Sequence, residues 1–196
     1  MDTEERMISG CRDGSRRAQS ELYKRFAPKM FGVCLRYSRG REEGEDILQE
    51  GFLKVFGRIF QYGGKGSFEG WIRRIMVNTA INHYHASLKQ QFILVENIEE
   101  MGVAEEEKSD DYQMPNGGSS IDTKLLMKLV QELPDGYRMV LNLHVFEGYN
   151  HKEIGEMLSI SDNTSKSQLS KARKYLKKLL LLAESKENKI LSGYEK

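Results

Sequence analysis

Asp46, Gln49 and Glu50 stand at i, i+3 and i+4 of the run "GEDILQEGFLKV". On a helix this spacing puts two carboxylates and an amide on one face, opposite Ile47, Leu48 and Val55. Such a face suits three chemistries: plain hydration, a metal or acid–base pair, or a polar surface on which another protein docks. No histidine or further carboxylate cluster joins it, so the metal reading is the least supported of the three. A second constellation lies in "NTSKSQLSKARKYLKKLL", from Asn163 to Leu180. At about 100° per residue, Leu169, Ala172, Leu176 and Leu179 or Leu180 form one stripe. Asn163, Lys166, Ser167, Ser170, Lys171 and Lys174 fall on the other side, and Arg173 adds a further cation. Cations that neutralise phosphates, beside short polar side chains that reach base edges, are what a DNA-binding helix needs. A solvated charged face is the plain alternative. A membrane-surface helix would carry bulky apolar residues where this one has Ser165, Ser167 and Ser170.

A third constellation is "SFEGWIRRIMVNTAINHYH". Phe68, Trp71, Ile72 and Ile75 read as core, while Arg73, Arg74, Asn78, Asn82 and the edge of Tyr84 supply what single-stranded DNA requires: cations for the backbone, amides for base edges and a ring for stacking. His83 and His85 are two apart and diverge on a helix, so they do not read as a metal pair. His144 and His151 read as packing or surface residues.

The elements that must position these residues are helical. Leu22, Phe26, Met30, Val33, Cys34 and Tyr37 recur at threes and fours, followed by Ile47, Leu48, Phe52, Val55, Phe56 and Ile59, with Pro28 expected in the first turn of a second helix. After the breaker "YGGKGS" a further helix is expected from Ser67 as N-cap. Periodicity resumes at Leu125, Leu126, Leu129, Val130 and Leu133, is stopped by Pro134, and restarts with Tyr137, Val140 and Leu141. No alternating run of strand length occurs, so the expected class is all-α, with two small helical domains and a flexible acidic linker between them. The boundaries read 1–90, 91–122 and 123–196, within the size range of small domains.

The net charge of +1 hides an uneven distribution. Residues 1–90 carry +5, the linker 91–122 carries −8, and residues 123–196 carry +4. The local patch, not the total, is what a phosphate backbone meets. The longest aliphatic run, Leu179 to Leu182, is far short of the roughly 18 residues that a membrane span needs, and the opening "MDTEERMISG" has no apolar core, so a soluble, cytoplasmic protein is expected. Cys11 and Cys34 give neither a disulfide framework nor a metal-ligand spacing, and Cys34 is expected in the core.

Between Asn150 and Leu182 these signals combine. Asn150 followed by Glu153 is a capping-box arrangement opening the short helix "HKEIGEML". The turn "SISD" follows, and Ile154, Met157, Leu158 and Ile160 face Leu169, Ala172 and Leu176, with Gly155 allowing close approach. This is the pattern of a helix-turn-helix, whose second helix enters the major groove.

The run "LPDGYRMVLNLHVFEGYNHKEIGEMLSISDNTSKSQLSKARKYL" resembles the promoter-recognition domain of bacterial extracytoplasmic function (ECF) sigma factors, and "EDILQEGFLKVF" with "SFEGWIRRIMVNTAINHY" resembles the core-polymerase and melting domain of the same family. The resemblance implies a transcription initiation factor, not an enzyme, with no cofactor or metal of its own. It implies that Asp46, Gln49 and Glu50 dock on the clamp helices of the largest subunit of core RNA polymerase. It implies that Asn78 and the preceding loop, including Tyr62 and Lys65, with Arg73, Arg74 and Asn82, capture the melted minus-ten strand. The C-terminal domain would meet the polymerase flap region and read the minus-thirty-five element through Asn163, Lys166, Ser167, Ser170, Lys171, Arg173 and Lys174. An anti-sigma protein is a candidate partner on the same ground. Asn163 stands in place of the family's glycine, where it is expected to serve the turn in a left-handed conformation. Ser165 replaces valine and is expected to loosen packing, Gln168 replaces an arginine, and Gly155 an alanine.

As a coil the linker spans about 30 Å, and about 100 Å when drawn straight, against about 70 Å between sites two DNA turns apart. Its charge suits a basic channel that normally holds RNA, or simple solvation. Two rival readings remain: a stand-alone helix-turn-helix regulator, which has no use for a polymerase-docking face, and a metal-dependent helical enzyme using Asp46 and Glu50.

Overall fold

The computed structural model describes residues 3–95 and 123–193, and every regular element among them is helical. The chain divides into two compact units, Met1–Ser87 and Leu88–Lys196.

The first unit begins with α1 (Thr3–Arg12), which buries Met7, Ile8 and Cys11. This helix is absent from the sequence expectations because its apolar positions make only one short turn of pattern. Ser15 then caps α2 (Arg16–Tyr37), accepting from the Ala18 N–H at 3.4 Å. Pro28 does not open a helix here. It lies inside α2, exposed to solvent, while Phe26, Ala27 and Met30 around it are buried. The carbonyl that loses its donor to the proline ring belongs to Lys24, also on the solvent side, and the continuous apolar stripe holds the helix together.

α3 (Arg41–Arg58) follows, then a 3₁₀ turn (Ile59–Gln61) and α4 (Phe68–Val95). Leu22, Met30, Ile47, Val55, Phe68, Ile72 and Met76 form the centre of the core. α3 approaches α4 closely at Gly51, where an added Cβ would stand 2.2 Å from the Met76 sulfur. Both cysteines are buried, and burial pushes the Cys34 thiol up to about 12, which removes any thiolate chemistry near neutral pH. α4 continues through Val95, past the Gln91 at which the linker is expected, because no glycine or proline intervenes before Gly102. The remainder of that linker, 96–122, lies outside the described residues.

The second unit contains α5 (Thr123–Gln131), α6 (Asp135–Leu141), a π-turn (Asn142–Phe146), α7 (His151–Leu158) and α8 (Asp162–Gly193). Leu129, Val130, Leu133, Met139, Val140, Leu143, Ile154, Leu158, Leu169, Ala172 and Leu176 are its core. Arg138 ties the first two helices together: its guanidinium, only 3% exposed, donates to the Leu133 carbonyl at 2.8 Å, the Gln131 carbonyl at 3.1 Å and Asp135 Oδ1 at 2.5 Å. It thereby satisfies carbonyls left over where α5 ends before Pro134. No helix among the described residues is long and apolar enough to cross a membrane.

Replacing Arg138 with leucine leaves those carbonyls without their donor and Asp135 without its cation. The expected loss is about 3 kcal/mol from the second unit. Trp71, the sole tryptophan, sits in the first unit. Urea unfolding followed by circular dichroism should therefore show an early helix loss that Trp71 fluorescence does not report.

Candidate nucleic-acid interface

The helix-turn-helix is built from local bonds. The Asn150 side chain accepts from the Glu153 N–H at 3.0 Å, and the Glu153 carboxylate accepts from the Asn150 N–H at 2.8 Å, which completes the capping box of α7. The chain reverses after α7 at Ser159, the one non-glycine residue with positive φ among those described, at 58°. Ile160 N–H then returns to the Gly155 carbonyl at 3.0 Å, and a Cβ on Gly155 would lie 2.7 Å from the Ile160 oxygen, so glycine is what permits the turn. Ser161 caps α8 by accepting from the Thr164 N–H at 3.0 Å. The left-handed position expected at Asn163 is therefore corrected to Ser159: once Ser161 is the cap, Asn163 is already within the first turn of α8.

α8 buries Ser165, Leu169, Ala172 and Leu176. Asn163, Lys166, Ser167, Arg173 and Lys174 are exposed, with Ser170 and Lys171 half-buried on the same outward side. The helix thus brings all seven expected residues onto one half of its surface. Lys166 also bonds Asp162 at 3.3 Å, an exposed i,i+4 pair that fixes little.

Ser165 does not loosen the packing as expected, since its hydroxyl bonds His151 Nδ1 at 2.9 Å in a fully buried position. The His151 ring in turn stacks on His144 at 4.6 Å, and His144 Nδ1 meets the Tyr149 carbonyl at 3.0 Å. Burial first, then the neighbouring His144, Lys166 and Arg173, hold His151 below its ordinary 6.5, with Asp162 opposing.

In the first unit, Ser67 caps α4 through the Gly70 N–H at 3.1 Å. Arg74, Asn78 and Asn82 are exposed at i, i+4 and i+8, and half-buried Trp71 shares their stripe. Arg73 lies about a quarter turn away from Arg74, so the helix separates it from the two asparagines. The Tyr62 ring packs against Phe68 at 4.9 Å and Trp71 at 5.6 Å, which places the loop carrying exposed Lys65 at the beginning of that stripe.

On α3, Asp46 and Gln49 are exposed, and Leu53, at 73% exposure, continues their face. Glu50 is half-buried and already engaged: its carboxylate meets Lys54 Nζ at 2.6 Å and His83 Nε2 at 2.5 Å, and Lys54 reaches Thr79 Oγ1 at 3.3 Å. Bonds from Lys54 and then His83 hold the Glu50 carboxyl below its usual range.

Two family matches cover these units: Sigma-70 region 2 over residues 22–87, and Sigma-70, region 4 over residues 123–176. Curated relatives match across nearly the whole chain. The ECF RNA polymerase sigma-E factor of Haemophilus influenzae is 26% identical, covering 89% of this chain and 93% of its own, and the RNA polymerase sigma-H factor of Pseudomonas aeruginosa is 25% identical, covering 91% and 94%. The chain belongs to the ECF group of RNA polymerase sigma factors. Among solved structures, it is similar to the sigma factor RpoE in complex with the anti-sigma factor NepR from Bartonella quintana, at 16% identity, with 82% of this chain and 95% of that one covered and a TM-score of 0.49.

As a sigma factor it directs promoter recognition with RNA polymerase and is an initiation factor, not an enzyme. What the sequence reading of this sigma factor missed are the polar supports beneath its faces: Ser165 with His151 and His144, and His83 with Lys54 behind Glu50. Only the pairing of a buried serine position with the histidine that opens the preceding helix hinted at the first, and no pattern signals the second, whose partners are 33 residues apart.

The lowered His151 value has a definite sign. The fold prefers the neutral ring, so its stabilisation is present above 6.5 and is lost as pH falls from there toward the folded-state value. Melting of the second unit between pH 8 and about 5 should drop with acidification in the native chain. His151→Gln should flatten that dependence.

Proposed function

We propose a three-way division of labour for this sigma factor. α3 docks on the clamp helices of core RNA polymerase through Asp46, Gln49 and the outward part of Glu50, with Leu53 extending the contact. α8 enters the major groove of the minus-thirty-five element, with Lys166, Lys171, Arg173 and Lys174 neutralising phosphates while Asn163, Ser167 and Ser170 reach base edges. Tyr62, Lys65, Arg74, Asn78 and Asn82 hold the melted minus-ten strand, with Arg73 contributing charge from the side, and the second unit also meets the polymerase flap region. Extruding a base costs a few kcal/mol of stacking, which a preformed loop and stripe can recover through contacts. Acting with the polymerase would keep the protein in the cytoplasm, and family membership makes an anti-sigma protein a further candidate partner. The acidic linker would reach between the two DNA elements when drawn out.

The observation that carries this reading is the arrangement of α8: a buried stripe seats it on the preceding helices, and Lys166, Lys171, Arg173 and Lys174 lie on its outward half. Lys171→Ala and Lys174→Ala should each weaken binding to a minus-thirty-five duplex and reduce the salt slope by about one. Neither should change affinity for core polymerase. Asp46→Ala and Gln49→Ala should do the reverse, each lowering core affinity by about tenfold. Salt-titrated fluorescence anisotropy on duplex and on core measures both. If the α8 variants bind duplex as the native chain does, the assignment of that helix is wrong.

A further inference from the structure

The loop Tyr62–Ser67 is rich in glycine, and two of its glycines hold left-handed backbone, Gly64 at φ 73° and Gly66 at φ 77°. Such a segment has more conformations to lose than any other composition, so a single shape needs pins. Within the loop there is one: Tyr62 packs its ring on Phe68 and Trp71 and donates its hydroxyl to the Gly66 carbonyl at 2.9 Å. The other comes from far away in sequence. Arg12 Nη2 donates to the Tyr62 carbonyl at 2.6 Å and Nε to the Ile59 carbonyl at 3.4 Å, bridging 50 and 47 residues. Its planar fork spans the two carbonyls that bracket the entry to the loop, a geometry an ammonium does not reproduce.

Arg12 is itself well placed. It is the last residue of α1, whose Met7, Ile8 and Cys11 are buried, and α1 closes on α2 so tightly that a Cβ on Gly10 would stand 2.8 Å from that of Ala18. This helix lies before the segment that matches Sigma-70 region 2.

We propose that Arg12 is a positioning residue: it fixes the conformation of the Tyr62–Ser67 loop, and through it the choice of base that the loop accepts from the minus-ten strand. The second half of this inference rests on the strand-capture role proposed above, whereas the first does not. The loop holds Lys65 exposed at its tip, between Gly64 and Gly66, so its freedom has a direct readout. Lysyl endopeptidase cuts after Lys65 only when the loop opens, and the mass of the fragments ending at Lys65 separates that cut from one at the lysine that Arg12→Lys introduces.

The experiment uses the full chain, alone and bound to core polymerase, as native protein and as Arg12→Ala and Arg12→Lys. In Arg12→Ala, cleavage after Lys65 should accelerate at least about fivefold under native conditions, as expected for a segment whose local opening becomes cheaper, with the Trp71 unfolding midpoint held. On holoenzyme, single-stranded minus-ten oligonucleotides carrying each of the four bases at the captured position should be discriminated by the native protein by about tenfold. That preference should shrink to within about twofold in Arg12→Ala while core affinity is unchanged. Arg12→Lys should fall between, because one ammonium serves one carbonyl.

Unchanged cleavage at Lys65 overturns the pinning. Native behaviour of Arg12→Lys in both assays overturns it as well, since it would make Arg12 a mere phosphate-facing cation. Faster cleavage with an unaltered base preference overturns the link to specificity. A native holoenzyme that shows no base preference contradicts the strand-capture role instead, and the cleavage result still decides whether Arg12 holds the loop. If Arg12→Ala fails to fold, Arg12→Lys together with Tyr62→Phe, which removes the hydroxyl bond to the Gly66 carbonyl, carries the cleavage comparison.

Discussion

The burial of one stripe of α8 against the helices before it determines what the rest of that helix can present. Ser165, Leu169, Ala172 and Leu176 leave no choice of rotation, and at 3.6 residues per turn their burial turns Asn163, Lys166, Ser167 and Lys174 to the outside. The same geometry governs α4, where Ile72, Met76 and Ala80 go inward and Arg74, Asn78 and Asn82 go outward, and α3, where Ile47, Leu48 and Val55 leave Asp46, Gln49 and Leu53 exposed. Each face of this sigma factor is therefore the solvent side of a helix whose other side is locked. Rigid helices keep a site more precise than loops do.

The supports beneath those faces are polar and specific. Glu50, Lys54, His83 and Thr79 form a connected set across α3 and α4, so the helix proposed to meet the polymerase and the helix proposed to meet the strand share one carboxylate. His151 and Ser165 do the same for α7 and α8, and Arg138 for α5 and α6. A half-buried charge left without its partner is expensive, so these sets select one arrangement of neighbouring helices more than they add to total stability. Glu50 in particular has its carboxylate held by Lys54 and His83, which leaves less of it for an outside partner than the exposed Asp46 and Gln49 offer.

Much of this was legible in the sequence because helical periodicity and capping are local. The Asn150–Glu153 box, the Ser67 cap, the Gly155 close approach and the outward side of α8 all follow from residues within a few positions of one another. The failures have physical reasons. Pro28 looked like a helix start, but a continuous apolar stripe on the opposite side outweighed one missing bond. Asn163 looked like the left-handed residue because its side chain tolerates that conformation, yet the Ser161 cap moved the reversal to Ser159. α1 was invisible because three buried residues do not make a period. Bonds such as Glu50 to His83 or Arg12 to Tyr62 join positions that no window contains, and they emerge only once the helices are packed.

The account requires that this chain, held on core polymerase, traps separated strands, and that neither the polymerase nor the chain does so alone. Permanganate reactivity of thymines across a minus-ten element on linear promoter DNA measures this most directly. The account predicts reactive thymines when chain and core are both present and none when either is omitted. Full binding of the chain to core with every thymine still protected would contradict it.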